Sequence, residues 1–526
     1  MSRLRPPTVL FPPFVLIAVS LSLAGCGTGG GPAVLPTSPA SAAEPAAKPD
    51  AAPTAGSDGA SERSAASTAE VDPLNNTIVV LKPAADGDNL KDLGTRTQGV
   101  DWPCFLGPTG DSKSPETGIL TEWPDGGPRV VWRREMNVGY GVGTVSKGRY
   151  FHFDREDDQA TVYCLNSETG EQLWKFSYTS DYEDLYGYSN GPRCSVICDG
   201  DRVYAYGVEG MLHCLRASDG QPQWKFDTTK EFGVVQNFFG VGSTPVVDGD
   251  LLLVMVGGSP ADDQTVAPGA LDRVSGNGTG IVAFDKMTGE VKYKITDELA
   301  SYASLKLAVI NGRRWCFAFA RGGLVGFEPN TGKVHFQYPW RADILESVNA
   351  SVPVVFGDQV FISETYGPGS SLLKAKPDGF DVVWRDEERS REKAMQTHWN
   401  TAIHHDGYLY GSSGRHTYNA ELRCIDAKTG EVKWSVPELT RASLMYADRH
   451  FVVLGEYGHL WLIKATPEKY EVVAKVKAGD PMQALPGDIG PISELGYPCW
   501  AAPILSHGLM YIRGDKTLLC LELIPE

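Results

Sequence analysis

A strand–turn–strand unit recurs along most of the chain, and this repetition restricts the possible folds more than any other feature. The end of the unit is its clearest part: a short apolar strand passes through a turn containing Gly into a strand that carries an aromatic residue. Copies of this end occupy residues 164–174, 214–224, 283–293, 326–336, 378–384 and 424–434, and a degenerate copy spans 462–473. Gly supplies the positive φ that a tight turn requires, and the aromatic ring anchors the last strand against its neighbour.

The units also begin alike, with small residues followed by two apolar strands joined by a turn. The eight starts lie near residues 143, 194, 243, 307, 352, 401, 443 and 502. Four short strands per unit, at a period of roughly 40–50 residues, are typical of propeller blades. The sequence therefore predicts an all-β fold over residues 129–526, an eight-bladed β-propeller of four-stranded antiparallel blades.

The two ends of the repeat region complement each other. The last unit, residues 503–523, has three strands and lacks the aromatic fourth strand, whereas residues 129–133 form an orphan strand containing Trp132. Because an unpaired strand edge leaves backbone groups unsatisfied, we expect the orphan strand to join the C-terminal blade and close the ring.

The N-terminal residues have the features of an export signal. Arg3 and Arg5 precede a mostly apolar run over residues 9–23 that is too short to span a bilayer. Residues 23–26, Leu-Ala-Gly-Cys, resemble a bacterial lipobox, which implies cleavage before Cys26 and lipidation of its thiol. The alternative is an ordinary signal peptide with an incidental cysteine.

The amino-acid composition separates a tether from the folded part of the chain that follows it. Residues 27–75 are rich in Ala, Pro, Ser, Gly and Thr and contain no aromatic residue, so they cannot bury enough surface to offset the entropy of ordering. The predicted domains are a lipoprotein signal peptide (1–26), a disordered tether (27–75), an N-terminal extension that packs on the propeller (76–128) and the propeller itself (129–526). Gly27, which follows the lipidated cysteine, favours the outer membrane by resemblance to known sorting rules, with the protein facing the periplasm.

Net charge excludes one class of partner. The chain carries a formal charge of −17 and has no basic patch, whereas nucleic-acid binding requires clustered Lys and Arg. We therefore expect no nucleic-acid partner.

The pattern Asp/Asn-x-x-Thr-Gly-Glu-x-x-aromatic at 164–174, 283–293 and 424–434 resembles the pyrroloquinoline-quinone (PQQ) repeat family. The likeness covers about residues 130–523. Quinoprotein alcohol dehydrogenases share this repeat, and so does the outer-membrane assembly lipoprotein that scaffolds β-barrel insertion. Residues 102–123 also resemble the N-terminal segment of planctomycete PQQ-like propeller proteins. The resemblance implies the fold and leaves the function open between these groups.

The residues that precede the first strand of each blade should cluster at one mouth of the central channel. They are Tyr140, Asn190, Arg193, Phe239, Tyr302, Glu346, Asn349, His398, Trp399, Asn400, Arg441 and Trp500. By resemblance to the quinoproteins, PQQ would stack on Trp399 or Trp500, with hydrogen bonds from Arg193 or Arg441. Glu346 and Asn349 would then offer oxygen ligands to Ca²⁺. The alternative is that channel-mouth residues are polar and aromatic because they meet water.

The cysteine positions predict local packing and pairing but not the function. Cys164, Cys214, Cys424 and Cys520 occupy one equivalent strand position, which favours small core side chains over metal ligands. Cys104 and Cys499 each follow Pro, and export permits disulfides, so a Cys104–Cys499 bond is a further hypothesis. The chain lacks both the adjacent Cys-Cys pair of quinoprotein dehydrogenases and a Cys-x-x-Cys-His haem motif.

These observations favour a binding function over catalysis. We expect an extracytoplasmic, lipid-anchored scaffold for a protein partner that requires no cofactor. A PQQ- and Ca²⁺-dependent oxidoreductase acting on an alcohol or sugar is the first alternative. A carbohydrate- or polymer-binding module is the second.

Overall fold

The structure is a computed structural model that describes residues 90–437, 439–476 and 495–526. The predicted signal peptide, Cys26 and the tether lie outside the described residues, as does the first part of the predicted extension, residues 76–89. Within the described ranges, no helix combines the length and apolar character required to cross a membrane.

Eight four-stranded antiparallel sheets confirm the predicted propeller. Blade 1 comprises β2 (Thr144–Ser146), β3 (Arg149–Glu156), β4 (Gln159–Asn166) and β5 (Gln172–Thr179), and blade 2 comprises β6 (Ile197–Asp199), β7 (Arg202–Tyr206), β8 (Met211–Arg216) and β9 (Pro222–Asp227). Blade 3 comprises β10 (Val246–Asp248), β11 (Leu251–Met255), β12 (Ile281–Asp285) and β13 (Val291–Ile295), and blade 4 comprises β14 (Lys306–Ile310), β15 (Arg313–Phe319), β16 (Gly323–Phe327) and β17 (Val334–Pro339). Blade 5 comprises β18 (Val354–Phe356), β19 (Gln359–Ser363), β20 (Ser370–Lys376) and β21 (Gly379–Arg385). Blade 6 comprises β22 (Ile403–His405), β23 (Tyr408–Ser413), β24 (Glu421–Asp426) and β25 (Val432–Val436). Blade 7 comprises β26 (Ala442–Ala447), β27 (His450–Gly455), β28 (Leu460–Lys464) and β29 (Val472–Lys475).

The eighth blade closes the ring as the sequence predicts. It contains β30 (Ile504–Ser506), β31 (Leu509–Arg513), β32 (Thr517–Glu522) and the N-terminal strand β1 (Val130–Glu135). Strand β1 pairs antiparallel with β32, so that Trp132 lies opposite Cys520 and Glu135 opposite Thr517. The first and last strands of the propeller therefore share one sheet.

Helical structure in the described residues is limited to short segments between strands. They are one α-helix, α1 (Thr228–Phe232), and three 3₁₀ turns at Ala261–Thr265, Leu271–Arg273 and Thr417–Asn419. Two of the 3₁₀ turns lie in the long insertion between β11 and β12. No cluster of His, Cys, Asp and Glu suited to a metal occurs there or elsewhere in the described ranges.

Tryptophan side chains on the outer strands of five blades fasten each of those blades to the next. The indole Nε1 of Trp174 in blade 1 donates to the Ala217 carbonyl of blade 2 at 3.0 Å, and Trp224 donates in the same way to Lys286 of blade 3. Trp132, Trp384 and Trp434 make the equivalent bonds at their own blade boundaries. The ring also covers the turn glycine of the next blade: a Cβ at Gly220 would lie 2.5 Å from Trp174. The repeated glycine is therefore required both for its positive φ of 73° and for this close approach.

The repeated cysteines pack beneath these tryptophans. Cys164, Cys214, Cys424 and Cys520 are buried free thiols, each directly across the sheet from the tryptophan of its own outer strand. Burial raises the pKa of all four thiols. Their role in the core agrees with the prediction from their equivalent positions.

Antiparallel order gives the propeller two different faces. The turns between first and second strands and between third and fourth strands lie on one face, which we call the turn face. The loops between second and third strands, together with the connections between blades, lie on the opposite face, the mouth face. The first strands of neighbouring blades contact one another, which places them around the central axis.

The described part of the N-terminal extension crosses the turn face. Trp102 forms a β-bridge with Val145 of blade 1, and the Ser112 hydroxyl donates to the Leu444 carbonyl of blade 7 at 2.7 Å. Lys306 of blade 4 donates through Nζ to the carbonyls of Thr109 and Gly110. The extension therefore ties together innermost strands from widely separated blades.

Candidate functional site

The central channel is a blind cavity of about 580 Å³. Phe105, Leu106 and Ser112 of the extension line one end of it. The other end opens on the mouth face between connections from most of the blades. Since the extension lies on the turn face, ligands have access from the mouth face.

The structure brings together most of the predicted mouth residues. Those that line the cavity are Tyr140, Arg193, Phe239, Tyr302, His398, Trp399, Asn400, Arg441 and Trp500. They converge because each precedes the first strand of its blade, and all the first strands surround one axis.

Two of the predicted cofactor-binding residues lie outside the cavity lining. Glu346 is exposed and outside the cavity lining, and Asn349 is buried with its Nδ2 donating to the carbonyls of Ala320 and Trp340. Asn349 thus anchors its own loop to blade 4. Asn190 is also outside the lining, where its Oδ1 accepts from the Asp184 amide. The structure does not bring the two candidate Ca²⁺ ligands together in the cavity.

The two predicted arginines are each neutralised by a buried carboxylate. Arg441 Nη2 lies 2.5 Å from Glu456 Oε2, and Arg193 Nη2 lies 2.6 Å from Asp184 Oδ2, with both carboxylate side chains fully buried. Asp184 also accepts from the amides of Tyr186 and Tyr188, so this pair fixes the loop that carries two exposed tyrosines. Both ion pairs position the wall of the cavity.

The aromatic wall is packed around Arg441. The rings of Trp399 and Trp500 are 4.7 Å apart at an angle of 43°, and the Arg441 guanidinium lies 4.5 Å from the Trp399 ring centre. Tyr140 packs on the other side of Trp500, 4.8 Å away. Because each indole already contacts a ring or a cation, this wall is a continuous aromatic surface and not a slot between two free faces.

A third arginine, Arg415, which sequence reasoning missed, lies beside this wall, where its carbonyl accepts from Arg441 Nη1 at 3.2 Å. Arg415 lines the cavity with its guanidinium 4.3 Å from the centre of the Tyr366 ring, and no carboxylate among the described residues lies within ion-pair distance of it. His398 Nε2 lies 3.3 Å from the Tyr366 hydroxyl. Burial, together with Arg441 and Arg415, lowers the pKa of His398 to about 3, so His398 is neutral near pH 7.

Two polar atoms at this wall have no hydrogen-bond partner in the structure. They are Trp399 Nε1, which can only donate, and His398 Nδ1, and both are shielded from solvent. Buried polar groups are normally satisfied.

Exposed tyrosines surround the opening. Tyr188 and Tyr418 line the cavity and are still 62% and 85% exposed. Tyr497 also lines the opening and stacks on Tyr457 with ring centres 5.0 Å apart, and Tyr186 packs on Phe239. We refer to Tyr186, Tyr188, Tyr418, Tyr457 and Tyr497 as the tyrosine collar.

Sequence reasoning missed Arg415, Tyr366 and Tyr418 because it considered only the connections between blades. These three residues come from loops between second and third strands, β19–β20 and β23–β24, which reach the same face because successive strands alternate in direction. A count of strand directions in the repeat would have predicted this placement.

The predicted disulfide partners do not meet in the structure. Cys104 and Cys499 are both free thiols. Cys104 packs against the core between blades 2 and 3, whereas Cys499 belongs to the core of blades 7 and 8.

Fold and site together define a closed, tryptophan-docked β-propeller with a blind, arginine- and aromatic-lined cavity on one face. The chain belongs to the family described as outer membrane protein assembly factor BamB, whose PQQ-repeat model matches residues 158–436, more than half of the chain. No curated protein matches it.

Several solved structures have a similar fold. BamB from Moraxella catarrhalis is 12% identical with a TM-score of 0.50, over 75% of this chain and 97% of that one. The computationally designed Ika8 protein is 9% identical with a TM-score of 0.46, over 75% and 100% of the two chains. A europium-containing methanol dehydrogenase is 13% identical with a TM-score of 0.44, over 80% and 91%. At these identities the likeness is one of fold alone.

Proposed function

We propose that this protein is a scaffold that binds a protein partner through the tyrosine collar and the cavity that the collar surrounds. The observation that carries the proposal is the composition of the mouth face: Tyr, Trp and Arg, the residue types enriched in interface hot spots, gather around one opening. The blades beneath are fixed to one another by indole hydrogen bonds, so the collar is presented on a rigid base.

The proposed location is the periplasmic side of the outer membrane, with the chain held there by a lipid on Cys26. The lipobox-like residues 23–26 support the anchor, and membership of the BamB family supports both the location and a protein partner. Acyl chains on the cysteine would retain the protein at the membrane surface without crossing it.

The quinone-dependent oxidoreductase remains the alternative, and the aromatic cavity is the observation in its favour. Its fit is incomplete, because Glu346 and Asn349 do not converge and the faces of Trp399 and Trp500 are already in contact with neighbours. If this alternative were correct, titration of the purified protein with PQQ and Ca²⁺ would produce a bound quinone absorbance, and addition of an alcohol or sugar as electron donor would then reduce an acceptor dye.

Site-specific photo-crosslinking tests the scaffold proposal. We expect a photoreactive amino acid at Tyr418, in the collar, to yield a discrete protein adduct in cells that express the full chain. The matched control is Lys428, an exposed residue of a blade 6 turn on the turn face, where no such adduct should form. Absence of an adduct at Tyr418, or equal adducts at both positions, would contradict the proposal. Retention on a glycan array without a protein adduct would instead favour the carbohydrate-binding alternative.

A further inference from the structure

The charges in the cavity are unevenly matched, and this imbalance points to the chemistry of the occupant. Arg193 and Arg441 are balanced by Asp184 and Glu456 within the structure. Arg415 contacts the Tyr366 ring and has no carboxylate within ion-pair distance among the described residues. The cavity therefore has one excess positive charge, although the chain as a whole carries −17.

We infer that the occupant is an acidic peptide segment of the partner, which places a carboxylate on Arg415 and an aromatic or aliphatic side chain against Trp399 and Trp500. This inference rests on the proposed function and specifies the partner's chemistry. A guanidinium is suited to binding a carboxylate because its planar donors match the two oxygens.

The extent of the surface favours a peptide over a small molecule. A compact anion within about 580 Å³ would be enclosed by the walls, whereas Tyr186 and Tyr457 of the collar lie outside the cavity lining and are 53% and 37% exposed. A peptide chain is long enough to cover the collar as well as the cavity. Tyrosine suits such contacts because it offers a large rigid surface with little entropy to lose.

Binding of matched synthetic peptides to the purified full chain tests the inference. The probes are short fluorescein-labelled peptides with one Trp, Tyr or Leu beside Asp or Glu, each paired with its Asn or Gln isostere. We expect a subset of acidic peptides to bind, with their amide isosteres about tenfold weaker because the charged hydrogen bond is lost. Arg415→Gln should abolish that difference, and Arg415→Lys should restore part of it.

Lys428→Gln is the matched control, since it removes one exposed cation from the turn face, and it should bind all peptides as the wild type does. Thermal melting of each variant verifies folding. The inference is overturned if no acidic peptide binds, if the isosteres bind equally, or if the acidic preference survives in Arg415→Gln.

The crosslinking experiment separates this inference from the proposed function. If Tyr418 still yields its adduct while the peptides show no dependence on Arg415, the scaffold proposal stands and the acidic-peptide inference fails. If Tyr418 yields no adduct, the scaffold proposal fails, and the peptide comparison still decides whether the cavity recognises a carboxylate.

Discussion

His507 and Asp101 form the most clearly pH-dependent contact between the extension and the propeller. His507 Nε2 lies 3.1 Å from Asp101 Oδ1, and its Nδ1 lies 3.1 Å from the Gln98 carbonyl oxygen. The hydrogen bond to Asp101 outweighs burial and raises the pKa of His507. Burial opposes ionisation of Asp101, but hydrogen bonds from His507, the Lys147 amide and Ser146 together lower the pKa of that carboxyl.

Replacement of His507 tests this contact at the residue scale. Because the folded-state pKa of His507 is raised, its stabilisation is complete below the unfolded pKa of about 6.5 and is lost as pH rises through the folded value. The stabilisation from Asp101 has the opposite sense and is lost on acidification below about 3.8. We expect the wild type to melt at a higher temperature than His507→Asn. The difference in melting temperature should be largest near pH ~5.5 and smaller near pH ~8.5. Asn is chosen because position 507 has a φ of 52°. A gap that widens with pH would contradict the prediction.

The joints between neighbouring blades differ in strength. At five of the described boundaries, an indole on the outer strand donates to the next blade. The outer strand of blade 4 instead carries Phe336, which packs on Phe380 with ring centres 5.1 Å apart, and Trp340 just beyond that strand donates to the Gly369 carbonyl of blade 5 at 3.2 Å. Strand β29 of blade 7 contains no aromatic residue, so the described boundary between blades 7 and 8 lacks an outer-strand ring.

Trp174→Phe measures one such joint at the element scale. The substitution leaves the Ala217 carbonyl without its donor while it keeps most of the ring packing, so we expect a loss of about 1–3 kcal/mol in the free energy of unfolding. The control is Leu173→Ala in the same strand, at a 39% exposed position, which should change stability by about 0.5 kcal/mol or less. Urea unfolding of the variants is monitored by circular dichroism, because this signal does not rely on the tryptophan that Trp174→Phe removes. Equal losses in the two variants would show that the indole bond is not the relevant contact.

Ring closure depends on a buried polar contact as well as on the β1–β32 ladder. Arg513 of blade 8 is buried and donates to the Asn137 carbonyl at 2.9 Å, and its Nη1 lies 3.0 Å from His152 Nε2 of blade 1. Burial lowers the pKa of Arg513, and the nearby Asp154 opposes this effect. The contact joins the two ends of the propeller at the same seam as β1.

Arg513→Met tests closure at the scale of the whole molecule. The variant leaves the buried Asn137 carbonyl without its donor, so we expect a loss of about 1–3 kcal/mol. Lys516→Met, which removes an exposed cation from the same blade, should be close to neutral. Chemical denaturation gives the free energies, and limited proteolysis should show earlier cleavage near residue 130 in Arg513→Met. A near-neutral Arg513→Met would mean that the strand ladder alone closes the ring.

The sequence alone was sufficient for the architecture, because most repeats carry the same local signals, a glycine at the turn and an aromatic residue on the last strand, and the orphan N-terminal strand matches the incomplete C-terminal unit. These signals are short-range and recur along the chain, so the degenerate copy at 462–473 does not alter the ring. Only the tertiary structure decided the site. Whether Trp399 contacts Arg441, whether Asn349 reaches the cavity or its own loop, and whether Arg415 has a carboxylate beside it all depend on loops from different blades that meet at one axis. No local pattern in the chain specifies those distances.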